Sequence, residues 1–125
     1  MKLLLIEDNA NDALLLRRLI DGDFDVTQAR TLAETLRVLA KESFDLVLLD
    51  LGLPDCDYRQ TLGVVKSHSQ PQAALVVISG FDDPALMAEC MRQGAHGYLR
   101  KGLDDQDRDY VLGILKTAIA RKLVN

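Results

Sequence analysis

The sequence predicts an α/β protein with a doubly wound parallel sheet covered by helices on both faces. Three observations carry that expectation. Five apolar runs alternate with amphipathic segments along 125 residues, the pattern of repeated strand–helix units. The run Leu46-Val47-Leu48-Leu49 is apolar at consecutive positions, as a strand buried on both faces requires. Four of the five runs then stop at polar groups: Glu7-Asp8, Asp50, Ser79 and Lys101. Right-handed crossovers make strand order 2-1-3-4-5 the compact (βα)5 solution. Its switch point, between strands one and three, is where ligands gather.

Taken in order, the chain opens on an apolar strand, Lys2 to Ile6, broken by Glu7-Asp8-Asn9. Asn9 can cap a first helix, and Asp12 in its first turn favours the positive end of the helix dipole. Leu15, Leu16, Leu19 and Ile20 form the buried stripe, and Asp21-Gly22 ends the helix. Residues 24–29 read as a second strand. Thr31-x-x-Glu34 reads as a capping box opening a helix with Leu32, Leu36, Leu39 and Ala40 on one face.

The central strand follows and ends at Asp50, where Gly52 and Pro54 turn the chain. A weaker helix over 57–66, diluted by Gly63, leads through a loop at 67–71 to a strand over 73–78. Asp83 then caps a fourth helix, Pro84 occupies its first turn, and Gly94 closes it. Gly97-Tyr98-Leu99 is a short fifth strand. The last helix spans about 105–121, with Val111, Leu112, Leu115, Ala118 and Ile119 inward.

Bulk properties narrow the function. This length suits one domain, 1–125, either a whole protein or a piece cut from a longer multidomain one, and 48% hydrophobic residues support one core. Aromatic residues are few (5%, no tryptophan), so the packing should be aliphatic. A net charge of −4 without a long block of one sign argues against direct nucleic-acid binding. The apolar start is too short to span a membrane and acids follow it, so a cytoplasmic protein is expected. Cys56 and Cys90 form no C-x-x-C pair; Cys90 reads as a small buried residue, and His68 and His96 as surface residues.

The strand ends carry the chemistry. If strands one and three are neighbours, Glu7, Asp8 and Asp50 converge, and like charges raise one another's pKa. A hard divalent cation with oxygen ligands, most simply Mg2+, relieves that repulsion. Lys101 among the acids points to an anion as well. Ser79 adds a hydroxyl donor, and Gly80 permits close backbone approach. Carboxylates, a metal, a lysine and a hydroxyl suit phosphoryl transfer, which depends on positioning and charge neutralisation.

At these residues the sequence resembles the receiver domains of two-component response regulators. The motifs LLLIEDN, DLVLLDLGLPD, VVISG and GYLRK stand in that family's order along the whole chain. The resemblance implies a flavodoxin-like fold similar to the chemotaxis regulators. It implies that Asp50 is the phospho-acceptor, and that Asp8, Asp50 and the Gly52 carbonyl bind Mg2+ with Glu7 acting through water. Lys101 and Ser79, with Gly80, would hold the phosphoryl oxygens, and Ser79 and Tyr98 would form the switch. The implied partners are a histidine kinase or histidine phosphotransfer protein and a downstream effector. A homodimer through the face of the fourth helix, fifth strand and last helix is a further expectation. Such a domain is not an enzyme beyond its own phosphorylation and dephosphorylation.

Some positions depart from the family pattern. Tyr58 stands where a glycine is usual, and Gly102 follows Lys101 where proline is usual. A trans Lys101–Gly102 bond with positive φ at Gly102 is therefore expected. Gly52 and Phe81, two residues beyond Asp50 and Ser79, offer no side chain to hold an attacking water, so slow phosphate loss is expected. Rival readings fit less well. A flavodoxin-type binder needs a Ser/Thr/Gly-rich loop where this chain has Glu7-Asp8-Asn9. A haloacid-dehalogenase-type phosphatase needs an Asp-x-Asp pair. A degenerate receiver that only binds partners is the remaining alternative.

Overall fold

The structure, a computed structural model, describes residues 1–80 and 83–124. The expectation placed on Phe81 lies outside those residues. Five parallel strands, β1 (Lys2–Ile6), β2 (Asp25–Ala29), β3 (Leu46–Asp50), β4 (Ala74–Ser79) and β5 (Gly97–Arg100), form one sheet in the order β2-β1-β3-β4-β5. Between and after them run α1 (Ala10–Ile20), α2 (Leu32–Leu39), α3 (Tyr58–His68), α4 (Pro84–Arg92) and α5 (Arg108–Val124). The expected doubly wound order is therefore the observed one.

Side chains alternate across each strand, so the sheet divides two apolar layers. Leu3, Leu5, Leu46, Leu48 and Val76 pack with Leu16, Val111 and Leu115 on the α1/α5 side. Leu4, Ile6, Val47, Leu49 and Val77 pack with Leu39, Leu62 and Cys90 on the other. Every residue of β3 is buried, because both of its faces are covered. Within the α1/α5 layer, Arg108 ties the start of α5 to the end of α1, donating to Leu19 O at 2.9 Å and to Asp23 at 2.6 Å.

Element ends differ from expectation where polar groups intervene. The last helix begins at Arg108 rather than 105, after a 3₁₀ turn over Asp105–Asp107 in which Asp104 and Asp107 form a capping box. It continues to Val124. Ala40 is an exposed C-cap, not a core residue, and Thr35 is buried in α2 instead. The 57–66 helix starts one residue past its cap, Asp57, and runs to His68. His96 is half-buried rather than a plain surface residue. Its Nδ1 accepts the Leu75 N–H at 3.0 Å, and its own N–H donates to Leu75 O at 2.7 Å. The ring thus caps the entry to β4. No helix among the described residues is long and apolar enough to cross a membrane.

Candidate functional site

The site forms where β1 and β3 end side by side. Their register pairs Ile6 with Leu49, which places Glu7 and Asp8 next to Asp50 at the carboxyl edge. Carboxylate oxygens of Glu7, Asp8 and Asp50 lie within 4.8 Å of one another. Glu7 is fully buried and Asp50 nearly so, whereas Asp8 is exposed. The three predicted acids are therefore together.

Lys101 closes the site from β5. Its N–H donates to Ser79 O at 2.9 Å, fixing the β5 exit against the β4 exit. Gly102 follows with φ +86, a conformation that glycine adopts at little cost, so the chain can turn away from the ammonium. No cis peptide occurs among the described residues, in line with the expected trans bond. Lys101 Nζ stands 3.1 Å from Asp50 Oδ2 and 3.2 Å from Glu7 Oε1. It also stands 3.3 Å from Asp12 Oδ2, a residue read from the sequence only as a helix-dipole partner.

The acids do not share their charge equally. Burial raises the Glu7 carboxyl, its hydrogen bond and repulsion with Asp50 add to that, and it reaches about 8 despite Lys101. Burial also pushes Asp50 upward, but hydrogen bonds from Glu7, the Gly52 N–H and Lys101 outweigh it and hold Asp50 below the usual range. The pair thus keeps one proton, carried on Glu7, and leaves Asp50 ionised. For Lys101, burial lowers the ammonium's pKa, but Asp50 and Glu7 raise it further. Asp50 is oriented as well as ionised, because the Gly52 N–H donates to Oδ1 at 2.9 Å.

These residues fit a hard cation. Glu7 Oε1 is buried without a hydrogen-bond partner and stands 3.2 Å from Lys101 Nζ. With Asp8 exposed beside it, the donor set is all oxygen and one entrance faces solvent.

The remaining predicted residues surround this core. Ser79 is buried at the end of β4, one residue beyond the Asp50–Ile78 pair. Gly80 lies close to the Lys101 stem, where an added Cβ would sit 3.9 Å from Cδ. Tyr98 is half-buried on β5 and packs against the α2/α3/α4 layer. It lines an open cleft of about 500 Å³ together with Gly80, Met87, Lys101 and Tyr110. The loop over the site is anchored by Asp55, whose carboxylate accepts the Leu32 and Ala33 N–H groups at 2.8 and 3.0 Å and so caps α2. Neither that cap nor the Asp12 contact was read from the sequence. Both join residues distant in the chain, and no local spacing marks them.

Comparison with known proteins bears on the fold and the family. The family model for the response regulator receiver domain matches residues 3–109. The response regulator protein FleR of Pseudomonas aeruginosa is 33% identical over 106 residues, 80% of this chain. The probable transcriptional regulatory protein NarL of Mycobacterium tuberculosis is 33% identical over 92 residues, 74% of this chain. The chain matches only 21% and 41% of the lengths of these two relatives. A response regulator receiver domain protein from Clostridium thermocellum superposes with TM-score 0.80 at 27% identity, covering 98% of this chain and 97% of that one. A response regulator from Burkholderia pseudomallei superposes with TM-score 0.78 at 25% identity, covering 98% and 71%. That protein carries a phosphorylated aspartic acid, a calcium ion and citrate.

Proposed function

We infer the function from one premise: the chain belongs to the response regulator receiver domains of two-component signalling. On this reading Asp50 accepts a phosphoryl group from the phosphohistidine of a histidine kinase or histidine phosphotransfer protein. The observation that carries it is the placement of Asp50, a buried carboxylate at the end of β3 whose Oδ1 accepts the Gly52 N–H at 2.9 Å and whose Oδ2 stands 3.1 Å from Lys101 Nζ, beside Glu7 and Asp8.

The residues divide the work. An Asp50 oxygen attacks phosphorus, the O–P bond forms, and the P–N bond to imidazole breaks with its electron pair left on nitrogen. The Gly52 N–H holds Oδ1, which leaves Asp50 oriented for that attack. Lys101, already 3.1 Å from Asp50, neutralises charge arriving on the phosphoryl oxygens. Glu7, Asp8, Asp50 and the Gly52 carbonyl would hold Mg2+, which when bound supplies positive charge against both carboxylates and phosphoryl oxygens. Ser79 and Gly80 receive the remaining oxygens.

Phosphorylation adds roughly 1.5 to 2 negative charges at Asp50. Ser79 moves toward them, Tyr98 follows into the vacated space, and the α4–β5–α5 face changes its packing. That face then binds an effector or a second copy of the domain, as a population shift between two packings. The domain catalyses only the gain and loss of its own phosphate, and it acts in the cytoplasm.

Phosphoramidate, a small phosphodonor, tests this reading when supplied with magnesium and followed by intact mass. The parent should gain one phosphate and Asp50→Asn none. Magnesium should also raise the parent's melting temperature by binding linkage, and Asp8→Asn should lose most of that rise. One phosphate on Asp50→Asn, or an unmoved parent mass and melting temperature, would overturn it.

A further inference from the structure

Lys101 is held by more than the site needs. Two of its three carboxylate partners, Glu7 and Asp50, belong to the buried cluster, with side chains 0% and 3% exposed. The third, Asp12, is 41% exposed and comes from a different element, the first turn of α1. Its place is built. Asn9 caps the helix by accepting the Asp12 N–H at 3.0 Å, and the Asn9 N–H donates to Glu7 Oε2 at 3.3 Å. Glu7, Asn9, Asp12 and Lys101 therefore close a ring. Lys101 Nζ and Asp12 Oδ2 stand 3.3 Å apart, so the ion pair is direct.

From this ring we propose that Asp12 is a positioning residue that restrains Lys101 at the rim of the site and selects against small phosphate anions as donors. The inference rests on the reading of Asp50 as acceptor. A phosphoryl group arriving at Asp50 draws Lys101 inward, away from Asp12. The Asp12 carboxylate is then left uncompensated beside the incoming anion. A free phosphodonor bears that repulsion alone. A donor protein with a cationic side chain beside its phosphohistidine replaces Lys101 as the partner of Asp12, and the repulsion disappears. The favoured donor is thus a phosphohistidine surface carrying positive charge at that point.

The test exploits opposite signs. Removing one charge from the rim should help an anion and hinder a cation, each by on the order of three- to tenfold for a partly solvated charge. For Asp12→Asn, the half-saturating acetyl phosphate concentration should fall by that factor at low ionic strength, with the change in this constant rather than in the maximal rate. The magnesium dissociation constant, measured by calorimetry without a phosphodonor, should rise by a similar factor. Asp12→Glu should restore both constants toward the parent, and salt should shrink both differences. A purely structural role for Asp12 would move both affinities in one direction. That result, or two unmoved constants in a phosphorylatable protein, would overturn the proposal. A parent that takes no phosphate while the magnesium shift persists would instead refute the reading of Asp50, leave Asp12 only as a restraint on Lys101, and overturn its selection among donors.

Discussion

Glu7→Gln in the magnesium-free protein isolates the proton that the buried acid pair retains. Glu7 has an ordinary value of 4.5 in the unfolded chain and about 8 when folded. A carboxyl raised by folding holds its proton longer in the native state, so stability is full below 4.5 and declines as pH climbs toward 8. At pH 6 the folded chain binds close to one more proton than the unfolded chain, and at pH 8 about half of one. Its stability should therefore fall by about 2 kcal/mol from this group alone.

Other shifted groups leave that window clear or oppose the trend. Asp50, lowered, titrates below 3.8, and Lys101, raised, above 10.5. His96 is lowered from 6.5, mainly by burial and then by Lys122, Lys66 and Arg121. Its contribution is present above 6.5 and lost as pH falls, the opposite sign to Glu7. At this chain length 2 kcal/mol corresponds to roughly 6–10 °C in melting temperature. Thermal melts in chelator at pH 6, 7 and 8 should show that decline in the parent. The Glu7→Gln variant, neutral throughout, should stay nearly level from pH 7 to 8. If it keeps the parent's slope, the retained proton is not on Glu7 and the account of an ionised Asp50 fails.

Two further outcomes follow from glycines. Gly94, at φ +105, ends α4 where an added Cβ would meet the Lys66 ammonium that donates to Gln93 O at 3.0 Å. Gly94→Ala should therefore cost about 1–3 kcal/mol, read as a lower urea midpoint with an unchanged slope. At Gly52 an added Cβ would sit 3.4 Å from Asp50 Oδ1, so Gly52→Asn sets an amide beside the acceptor. That amide can align water, and phosphate loss after donor removal should quicken by about tenfold, short of the 10²–10⁴ of full acid–base catalysis; an unchanged decay of the phosphorylated mass would show that water access there does not set the lifetime.

What could be read from the sequence was whatever burial periodicity encodes. β3 is apolar at consecutive positions because both faces are covered, and its apolar run stops at Asp50 because the sheet edge does. With β1 and β3 as neighbours, the meeting of Glu7, Asp8 and Asp50 follows from register alone. Caps with local geometry were legible too: Asn9, Thr31 and Asp83 each accept the N–H groups their positions predict. Residues whose polar atoms work across the chain were not. His96 looked like a surface residue because periodicity reports whether a side chain is covered and not what it bonds. Asp55 looked like part of a turn, although both of its oxygens serve the start of α2.

Lys101 shows where that boundary matters for function. A lysine at a strand end facing acids can be read as an anion receptor from position alone. How hard an anion must pull on it depends on which carboxylates hold it, and those come from three elements. Glu7 belongs to the buried cluster that would hold the metal, while Asp50 is the very group to be modified. Of the three, Asp12 alone lies outside the buried cluster and is left unmodified by the proposed phosphorylation, so it is the restraint that an incoming phosphoryl group must overcome. Its position depends on the α1 cap folding over the end of β1, a contact between backbone and Asn9 that fixes the geometry without any signature spacing to Lys101. The acceptor is thus written in the pattern of the strands, and the resistance to its charging in the way one helix begins.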